Sequence, residues 1–440
     1  MISNATFPQG WYAKNLLPFS EGDDMHLFVA DGSRIYDVEN RTACVIDKMR
    51  LDLPLSDDEE LLLDELLGSL QITDSPYIKD EVIPVPQLNA ISINVAQVCN
   101  MSCTYCYANE GKFGGASTMM KNQVAFDTVD KLFAEAAADA PLLLGFMGGE
   151  PLLARALIHE TVAYAWEKAQ ATDKKIAFSI TTNATLITQA DAVLFNSYPF
   201  TVTVSIDGNE AVHNAMRKMH NGADSYQKVL AGIKLLRKHR PMQLTARATV
   251  TPASGKLLPL LDSLIALGFD DVGFSAVLVS PDPLSAFQKK DFDNLTKEMI
   301  ACGNKALNEW LEGRPYPFGN LTTAIEEIHK GTHRPYPCGA GAGYMSVNTK
   351  GDLFACHRLI DDSEFLMGNI YKPLNEAPRQ AILQNRHVDL QEPCNSCWAR
   401  YLCGGGCYHE IKHRGRIACD YIRDWLSFCL AAYTKLSKIK

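Results

Sequence analysis

The segment ISINVAQVCNMSCTYCYANEG, residues 91–111, joins an apolar run to three closely spaced cysteines. Residues 91–98 have the composition of a buried β-strand, and the cysteines at positions 99, 103 and 106 follow directly after it. The spacing C-x3-C-x2-C therefore places three thiols where a strand gives way to a loop. Thiols this close together are typical of metal binding or redox chemistry in a reducing compartment, where disulfides rarely persist.

The strand pattern recurs along the chain and alternates with helical patterns. Helical periodicity marks QVAFDTVDKLFAEAAA from Gln123 and YQKVLAGIKLLRKH from Tyr226. Six strand–helix repeats predict an α/β fold with a parallel sheet, which either closes into a partial barrel or stays open and doubly wound. In both cases the functional site lies at the carboxyl ends of the strands. The predicted strands are 91–98, 142–147, 176–182, 200–206, 243–250 and 272–278.

Composition limits the classes of protein that fit. The chain has 440 residues, of which 47% are hydrophobic and 21% charged, and its formal net charge is −9. This length predicts two or three domains with a substantial core. The acidic balance, without a basic stripe, argues against nucleic-acid partners. The apolar runs are too short for a membrane span and the first residues lack the pattern of a secretion signal, so we expect a cytoplasmic protein with no membrane partner.

Two further regions flank the repeats. Residues 1–88 are predicted to form a small α+β unit, with two strands around the Asp-Gly turn of HLFVADGSRIYDV and a helix in SDDEELLLDELLGSL that is capped by Ser56 or Asp57. The prolines of DEVIPVPQLNA predict a linker before the repeats of residues 89–310. Residues 311–440 are rich in cysteine and glycine, and CGAGAGYMSVNTKGDLFAC predicts a hairpin between two thiols. A region with so little apolar area needs a metal or covalent staple.

The thiols at 99, 103 and 106 fit two kinds of metal site. Zinc prefers four ligands, and no fourth cysteine or histidine lies nearby in the sequence. Three thiolates suit a four-iron cluster in which one iron stays open for substrate chemistry.

This cysteine motif, with Tyr105 before its last thiol, resembles the radical S-adenosylmethionine superfamily. The resemblance implies a partial (β/α)6 TIM-like barrel in which Cys99, Cys103 and Cys106 hold a 4Fe-4S cluster. It also implies that the open iron binds S-adenosylmethionine. One electron then cleaves the sulfonium, and the resulting 5′-deoxyadenosyl radical abstracts a hydrogen atom from the substrate.

Further strand-end motifs match residues that contact S-adenosylmethionine in the superfamily. GGEP matches the motif that meets the methionine amine, because glycines permit close approach and a carboxylate pairs with an ammonium. TTNAT, VSIDG and TARATV carry polar side chains at later strand ends. The residues implied to contact the cosubstrate are Tyr105, Gly148, Gly149, Glu150, Pro151, Asn183, Ser205, Asp207 and Arg247.

The carboxy-terminal cysteines are similar to the SPASM extension of these enzymes, which carries two auxiliary 4Fe-4S clusters. The resemblance implies that Cys394, Cys397, Cys403 and Cys419 hold the outer cluster, and that Cys338, Cys356 and Cys407 hold the inner one. Cys429 is an alternative to Cys419, although its apolar helical face favours a core thiol.

The inner set has three thiols for four irons. Sulfatase-maturing relatives have a further cysteine where this chain has Thr332. We expect either an iron that is open to a substrate thiolate, or a fourth ligand from Cys44, Cys302 or a non-cysteine side chain.

SPASM enzymes mostly modify ribosomally made peptides, and this chain resembles their thioether-forming maturases, such as those of quinohemoprotein amine dehydrogenase and of six-cysteine (SCIFF) peptides. The resemblance implies a peptide or small-protein substrate whose leader docks on residues 1–88, a cysteine-sulfur-to-carbon cross-link, and a flavodoxin or ferredoxin as electron donor. Carbon–carbon or ether cross-linking of aromatic side chains is the enzymatic alternative. A zinc-ribbon scaffold protein is the alternative from another class.

His357 replaces the aspartate that sulfatase-maturing relatives carry after the second SPASM cysteine, which argues against formylglycine formation. An imidazole near neutrality suits proton transfer, so His357 is the candidate catalytic base. The alternative is a hydrogen bond to a cluster sulfur or to the backbone. His409 and Glu410 are expected to support the cluster loop rather than to catalyse.

Overall fold

The computed structural model describes residues 10–70 and 82–438, in which the strands form one large sheet and two small ones. The strands are β1 Leu16–Glu21, β2 Asp24–Val29, β3 Arg34–Val38, β4 Ala90–Ala96, β5 Met101–Cys103, β6 Leu142–Gly148, β7 Ile176–Thr182, β8 Phe200–Ser205, β9 Arg217–Met219, β10 Gln243–Val250, β11 Asp271–Ala276, β12 Tyr344–Val347, β13 Asp352–Phe354 and β14 Leu366–Asn369.

The large sheet has the strand order β11-β10-β8-β7-β6-β4-β12-β13-β14. From β4 to β11 all neighbours pair in parallel, and they follow one another in chain order without a reversal. A doubly wound sheet reverses its order at a switch point, so the arrangement is that of a partial (β/α)6 barrel. The six predicted strands match β4, β6, β7, β8, β10 and β11 within two residues at each end.

Helices follow the barrel strands and also build the two flanking regions. The predicted cap of α3 is Ser56, whose backbone N–H donates to Glu59 Oε2 at 3.0 Å. The helices are α1 Trp11–Asn15, α2 Asn40–Arg50, α3 Asp57–Ser69, α4 Asn122–Glu135, α5 Arg155–Ala171, α6 Gln189–Ser197, α7 Glu210–Met216, α8 Tyr226–Lys238, α9 Leu257–Ile265, α10 Phe292–Leu311, α11 Gly319–His329, α12 Glu376–Arg386, α13 Arg400–Cys403, α14 Tyr408–Arg414 and α15 Cys419–Ser437.

The barrel strands carry an apolar face and a polar face. In β8, buried Val202 and Val204 alternate with half-buried threonines and end at Ser205. The hydroxyl of Thr245 on β10 donates to Thr203 on β8 at 2.9 Å, so small polar groups contact one another across the second face. This alternation buries the apolar face under the helices and leaves polar groups on the other.

The carboxy-terminal region continues the barrel sheet. The predicted hairpin is present as β12 and β13, and β12 pairs in parallel with β4, so the first barrel strand has a carboxy-terminal neighbour. Strands from both sides of the predicted boundary near residue 310, which lies on α10, therefore belong to one sheet. Arg379 on α12 joins the segment before β4 to the carboxy-terminal region, since it donates to the carbonyl oxygens of Pro86 and Ala342.

The amino-terminal region forms the antiparallel sheet β1-β2-β3 over α2 and α3, with its own small core. The predicted strands and helix are present, while part of the predicted linker lies outside the described residues. The unit rests on the carboxy-terminal region, where buried Arg400 donates to Lys14 O and Asn15 Oδ1, each at 2.6 Å. Over residues 10–70 and 82–438, no helix is both long and apolar enough to cross a membrane.

Candidate active site

The three thiols of the first motif lie in a loop that two hydrogen bonds shape. The N–H of Met101 donates to Cys99 Sγ at 3.4 Å, and the N–H of Cys106 donates to Cys103 O at 3.1 Å. Burial, with a smaller contribution from neighbouring negative charges, raises the pKa of Cys99 to about 12. The protein around these thiols does not stabilise their deprotonated form, because burial disfavours the charge. A bound metal ion would supply the positive charge that stabilises the thiolates. The thiol set therefore fits a metal centre.

The geometry of these thiols differs from that of a compact single-ion site. Among the described residues, no three cysteine, histidine or acidic side chains converge closely enough to hold one ion. The thiolates around a four-iron cluster each bind a different iron and need not converge on one point.

Two glycines allow the GGEP loop to pack on the cysteine loop. Gly149 N donates to Ala96 O at 2.8 Å, and Glu150 N donates to Val98 O at 3.0 Å. A Cβ on Gly148 or on Gly149 would lie 2.4 Å from a carbonyl oxygen of this loop. The close approach that these glycines permit is thus to the cysteine loop itself.

Glu150 is a fully buried carboxylate held by neutral donors. It accepts hydrogen bonds from Asn183 N and Thr182 Oγ1, both at 2.7 Å, and from Leu152 N at 3.1 Å. Burial raises its pKa in spite of these bonds. Buried Pro151 begins the single helical turn that follows. A carboxylate fixed in this way is suited to pair with a ligand ammonium group.

Asn183 ties the end of β7 to the same loop. Its Nδ2 donates to Asn100 Oδ1 at 2.8 Å and lies 3.9 Å from Cys99 Sγ. Its Oδ1 accepts from Thr185 N at 3.0 Å. Both ends of the amide are therefore engaged, and Asn183 lies next to the first thiol as predicted from strand order.

Tyr105 and Asp207 form a buried group with Arg217, which sequence reasoning missed. Tyr105 donates its hydroxyl proton to Asp207 and accepts from Arg217 Nη1 at 2.7 Å. Asp207 also accepts from Thr249 N at 3.0 Å. These partners give both predicted residues a role in holding the loop, and their contact with the cosubstrate stays a prediction. Arg217 carried no signal because it lies 112 positions from Tyr105 in the sequence, on the short strand β9.

Arg247 does not join this group. Its guanidinium fills the space beside Gly273, where a Cβ would lie 1.9 Å from Nη1, and it lines a cavity with Asp271 and Glu327. Asp271 is the first residue of β11, so the side chain reaches toward the amino end of that strand rather than the site. The contact of Arg247 with the cosubstrate that the resemblance implied therefore has no support in the structure. Ser205, at the end of β8, lies half-buried two residues before Asp207.

Five of the carboxy-terminal thiols line a small cavity of about 60 Å³, and one of them is Cys407 of the predicted inner set. Those that line it include Cys394, Cys397, Cys403 and Cys419, the predicted outer set. Burial, then the charges of the other three, raises the pKa of Cys403 to about 11. Cys429 is fully buried on α15, and burial alone raises its pKa, which is the behaviour of a core thiol.

The predicted inner thiols also influence one another. Burial raises the pKa of Cys356 to about 12, and the charges of Cys407 and Cys338 act in the same direction. Tyr408 Oη and His409 Nδ1 are buried without a hydrogen-bond partner in the described residues. Unpaired buried polar groups are rare in native proteins, so these two fit a group that is bound between them and the thiols.

The sequence suggested Cys44 or Cys302 as a fourth ligand of the inner cluster, but both lie on helices outside the carboxy-terminal region. Cys44 is exposed on α2 of the amino-terminal unit. Cys302 is fully buried on α10, where the negative charges that raise its pKa come from Glu298 and Asp262. Neither placement supports coordination of the inner cluster.

His357 links the inner thiols to the barrel. Its Nδ1 lies 3.0 Å from the hydroxyl of Tyr344, which lies 2.7 Å from Ser92 Oγ on β4. Burial, and then the charge of Arg358, lowers the pKa of His357 to about 4. The imidazole is therefore neutral near pH 7 and is a weaker base than an ordinary histidine, and its role as the catalytic base stays a prediction.

The comparison with protein families defines the class of the barrel. Residues 93–252 match the family model of the Radical SAM superfamily, so this chain contains a radical SAM domain. That domain implies a 4Fe-4S cluster and S-adenosylmethionine as cosubstrate. The match therefore favours an iron–sulfur cluster over the zinc-ribbon alternative at the first cysteine motif.

Particular relatives cover most of the chain. It is 24% identical over 373 residues to a serine-type anaerobic sulfatase-maturating enzyme of Klebsiella aerogenes, spanning 81% of this chain and 89% of that enzyme. It is 25% identical over 348 residues to a cysteine-type anaerobic sulfatase-maturating enzyme of Clostridium perfringens, spanning 73% and 89%. The chain is homologous to these enzymes, while the histidine at position 357 argues only against their formylglycine-forming activity.

Two solved structures share the fold. The structure of anSMEcpe with bound AdoMet has a TM-score of 0.70 at 21% identity, covering 81% of this chain and 96% of that one. The structure of Streptococcus suis SuiB bound to S-adenosylmethionine has a TM-score of 0.55 at 14% identity, covering 92% and 97%. The second likeness extends the shared fold into the flanking regions.

Proposed function

We propose that this protein is a radical S-adenosylmethionine maturase that installs a cysteine-sulfur-to-carbon thioether in a peptide or small protein. The observation that carries the thioether is the inner set of three thiols. Cys44 and Cys302 lie elsewhere, which favours an inner iron that is free to bind a substrate thiolate. A metal-bound thiol is deprotonated and oriented for bond formation.

The first thiol set and its neighbours define the proposed radical site. Cys99, Cys103 and Cys106 hold the cluster, which when bound supplies the electron that cleaves the cosubstrate. Glu150 meets the methionine ammonium, because it is a buried carboxylate whose protein partners are neutral donors. Asn183, within 3.9 Å of Cys99 Sγ, lies where it can contact the same cosubstrate.

The proposed substrate is a ribosomally made peptide with a leader. Structures of anSMEcpe with the Kp18Cys peptide and of SuiB with precursor peptide SuiA have TM-scores of 0.67 and 0.53 to this chain. The sheet β1-β2-β3 has β3 at its edge, and an edge strand can accept a peptide as an added strand. A cytoplasmic flavodoxin or ferredoxin is the proposed electron donor.

Two other reactions are the competing candidates. The homology to sulfatase-maturating enzymes over most of the chain favours oxidation of a serine or cysteine side chain. Carbon–carbon or ether cross-linking of aromatic side chains uses the same hydrogen abstraction. Each reaction leaves a different functional group on the peptide.

Reconstitution tests the radical site first. Anaerobically reconstituted protein is expected to hold about twelve irons, four for each of three clusters. It should cleave S-adenosylmethionine to 5′-deoxyadenosine after reduction. Alanine variants of Cys99, Cys103 and Cys106 should lose this cleavage, and cleavage that persists in them would contradict the assignment of the radical cluster.

Product analysis then separates the three reactions. The protein would be produced together with short cysteine-containing peptides encoded beside its gene, and each peptide analysed by thiol alkylation and tandem mass spectrometry. A thioether removes one alkylatable thiol and blocks fragmentation between the linked residues. An aldehyde that reacts with a hydrazide would favour side-chain oxidation, and an unchanged thiol count with a new link would favour the aromatic cross-link.

A further inference from the structure

Arg358 is clamped beside the inner thiols. Its Nη1 donates to Glu410 Oε1 at 2.8 Å and lies 3.5 Å from Cys407 Sγ. Its guanidinium carbon lies 4.8 Å from the ring centroid of Tyr107. A carboxylate on one side and an aromatic face on another restrict the side chain. The guanidinium is thus held with an N–H available to the sulfur, and its buried Nε has no hydrogen-bond partner in the described residues.

Tyr408, the residue after Cys407, carries a second buried donor. Its ring is buried, with 3% of the residue exposed, and its hydroxyl is one of the two unpaired groups described above. A phenol O–H is a hydrogen-bond donor near neutral pH. The guanidinium of Arg386 lies 4.5 Å from the ring centroid and restricts the ring.

Hydrogen bonds to sulfur and nearby positive charge have a known effect on iron–sulfur clusters. Reduction adds a negative charge, which donors and cations stabilise, so both raise the reduction potential. The effect is larger where protein excludes water, because electrostatic interactions are less screened there.

We infer that Arg358 and Tyr408 raise the reduction potential of the inner auxiliary cluster by donating hydrogen bonds to its sulfurs, and so make it the acceptor for the electron that the substrate loses. This inference rests on the proposed function, which places that cluster at Cys338, Cys356 and Cys407. In the cross-linking step a substrate carbon radical and a thiolate form one S–C bond. Closure of this bond leaves one surplus electron, which would reduce the oxidised inner cluster. The thiol proton is lost earlier, when the thiolate forms.

The effect of Arg358 and Tyr408 on reduction potential should be confined to the inner cluster, because a different arginine lies near each of the other two thiol sets. Arg217 lowers the pKa of Cys103 in the first set. Arg423 interacts with Cys397 and Cys419 in the outer set. A substitution at Arg358 or Tyr408 is therefore expected to change the reduction potential of the inner cluster and to leave those of the other two clusters unchanged.

The test is a redox titration of the full chain, followed by electron paramagnetic resonance. The inner signal is identified as the one lost in Cys356→Ala. In Tyr408→Phe and in Arg358→Gln that signal should titrate at a lower potential, while Arg358→Lys, which keeps the charge, should shift it less. The matched control Arg423→Gln should move the outer signal instead.

The possible results of this titration separate the inference from the proposed function. An inner signal that titrates unchanged in both Tyr408→Phe and Arg358→Gln overturns this inference and leaves the proposed function standing. If Cys356→Ala removes no signal, the proposed inner cluster itself is wrong. If Arg358→Gln loses iron, Tyr408→Phe decides alone, because it removes a single oxygen atom and keeps the ring.

Discussion

Cys103 and Arg217 are register partners in the short antiparallel sheet formed by β5 and β9. Arg217 also reaches Tyr105 Oη and lies 3.9 Å from Asp207 Oδ1, so one buried cation serves the cysteine loop and a strand-end carboxylate. The end of β8 is thereby joined to the loop that carries the first thiols. This joint is the basis of the first prediction.

Replacing Arg217 with methionine should destabilise the protein by about 3 kcal/mol, because it leaves Asp207 buried without its cation. Burial already raises the pKa of Asp207, and Arg217 is what opposes that shift. The double variant Arg217→Met with Asp207→Asn should recover part of the loss. Urea unfolding of the metal-free protein measures both, and equal stability of the single and double variants would refute the coupling.

Gly149→Ala should abolish cleavage of S-adenosylmethionine, since the added Cβ would meet the backbone of Val98 at 2.4 Å and displace the GGEP loop. Gly68→Ala is the matched control, because that position lies on α3 with open space around its Cβ. Alanine should stabilise this helix by about 0.5–1 kcal/mol. Cleavage at the native rate in Gly149→Ala would show that the two loops do not need this contact.

Cys419→Ala and Cys429→Ala should differ in iron content. Cys419 lines the outer cavity and Cys429 lies in the core of α15, so only the first variant should lose iron, about four atoms for each chain. Iron and protein assays on reconstituted material measure the difference. Loss of iron in Cys429→Ala alone would reverse the assignment.

Stability should fall as pH falls below 6.5, and His213 should contribute part of that loss. Burial, and then the charge of Arg217, lowers the pKa of His213 from 6.5 to about 3. Between pH 6.5 and about 3 the unfolded chain binds a proton at His213 that the folded protein does not bind. His213 therefore lowers the free energy of unfolding by about 1.4 kcal/mol for each unit by which the pH falls.

His213→Gln should therefore show a shallower dependence of unfolding free energy on pH over this range. The side chain is held by Asp207 N at 3.3 Å and by Ser225 Oγ at 2.9 Å, so the variant will be less stable near neutrality. His329→Gln, on the exposed end of α11, is the matched control for the loss of one imidazole. Parallel slopes for the native protein and His213→Gln would contradict the assignment.

Strand positions could be predicted because buried strands repeat a short local pattern. All six barrel strands and the hairpin β12–β13 follow from apolar runs bounded by turns. The placement of Glu150 and Asn183 beside Cys99 followed from a general rule, that parallel strands end at the same edge. Local composition and topology were sufficient for these parts.

Long-range pairings were not predictable in this way. Nothing in the pattern of β12 indicates that it pairs with β4, and the guanidinium of Arg247 reaches toward Asp271 although its strand position had predicted a cosubstrate contact. Which partner a side chain meets depends on packing between segments far apart in sequence, and no period or spacing records it.

The sequence by itself determined the parallel α/β repeats, the three groups of thiols and their order along the chain, because these depend on local hydrophobic periodicity and on residue spacing. Only the tertiary structure decided that the sheet keeps its chain order as a partial barrel, that Arg217 supports the first thiols, that Arg358 lies beside the inner ones, and that Cys302 is a core residue. A side chain acquires such a role from the charge, burial and hydrogen-bond partners around it, and these exist only once distant segments have packed together.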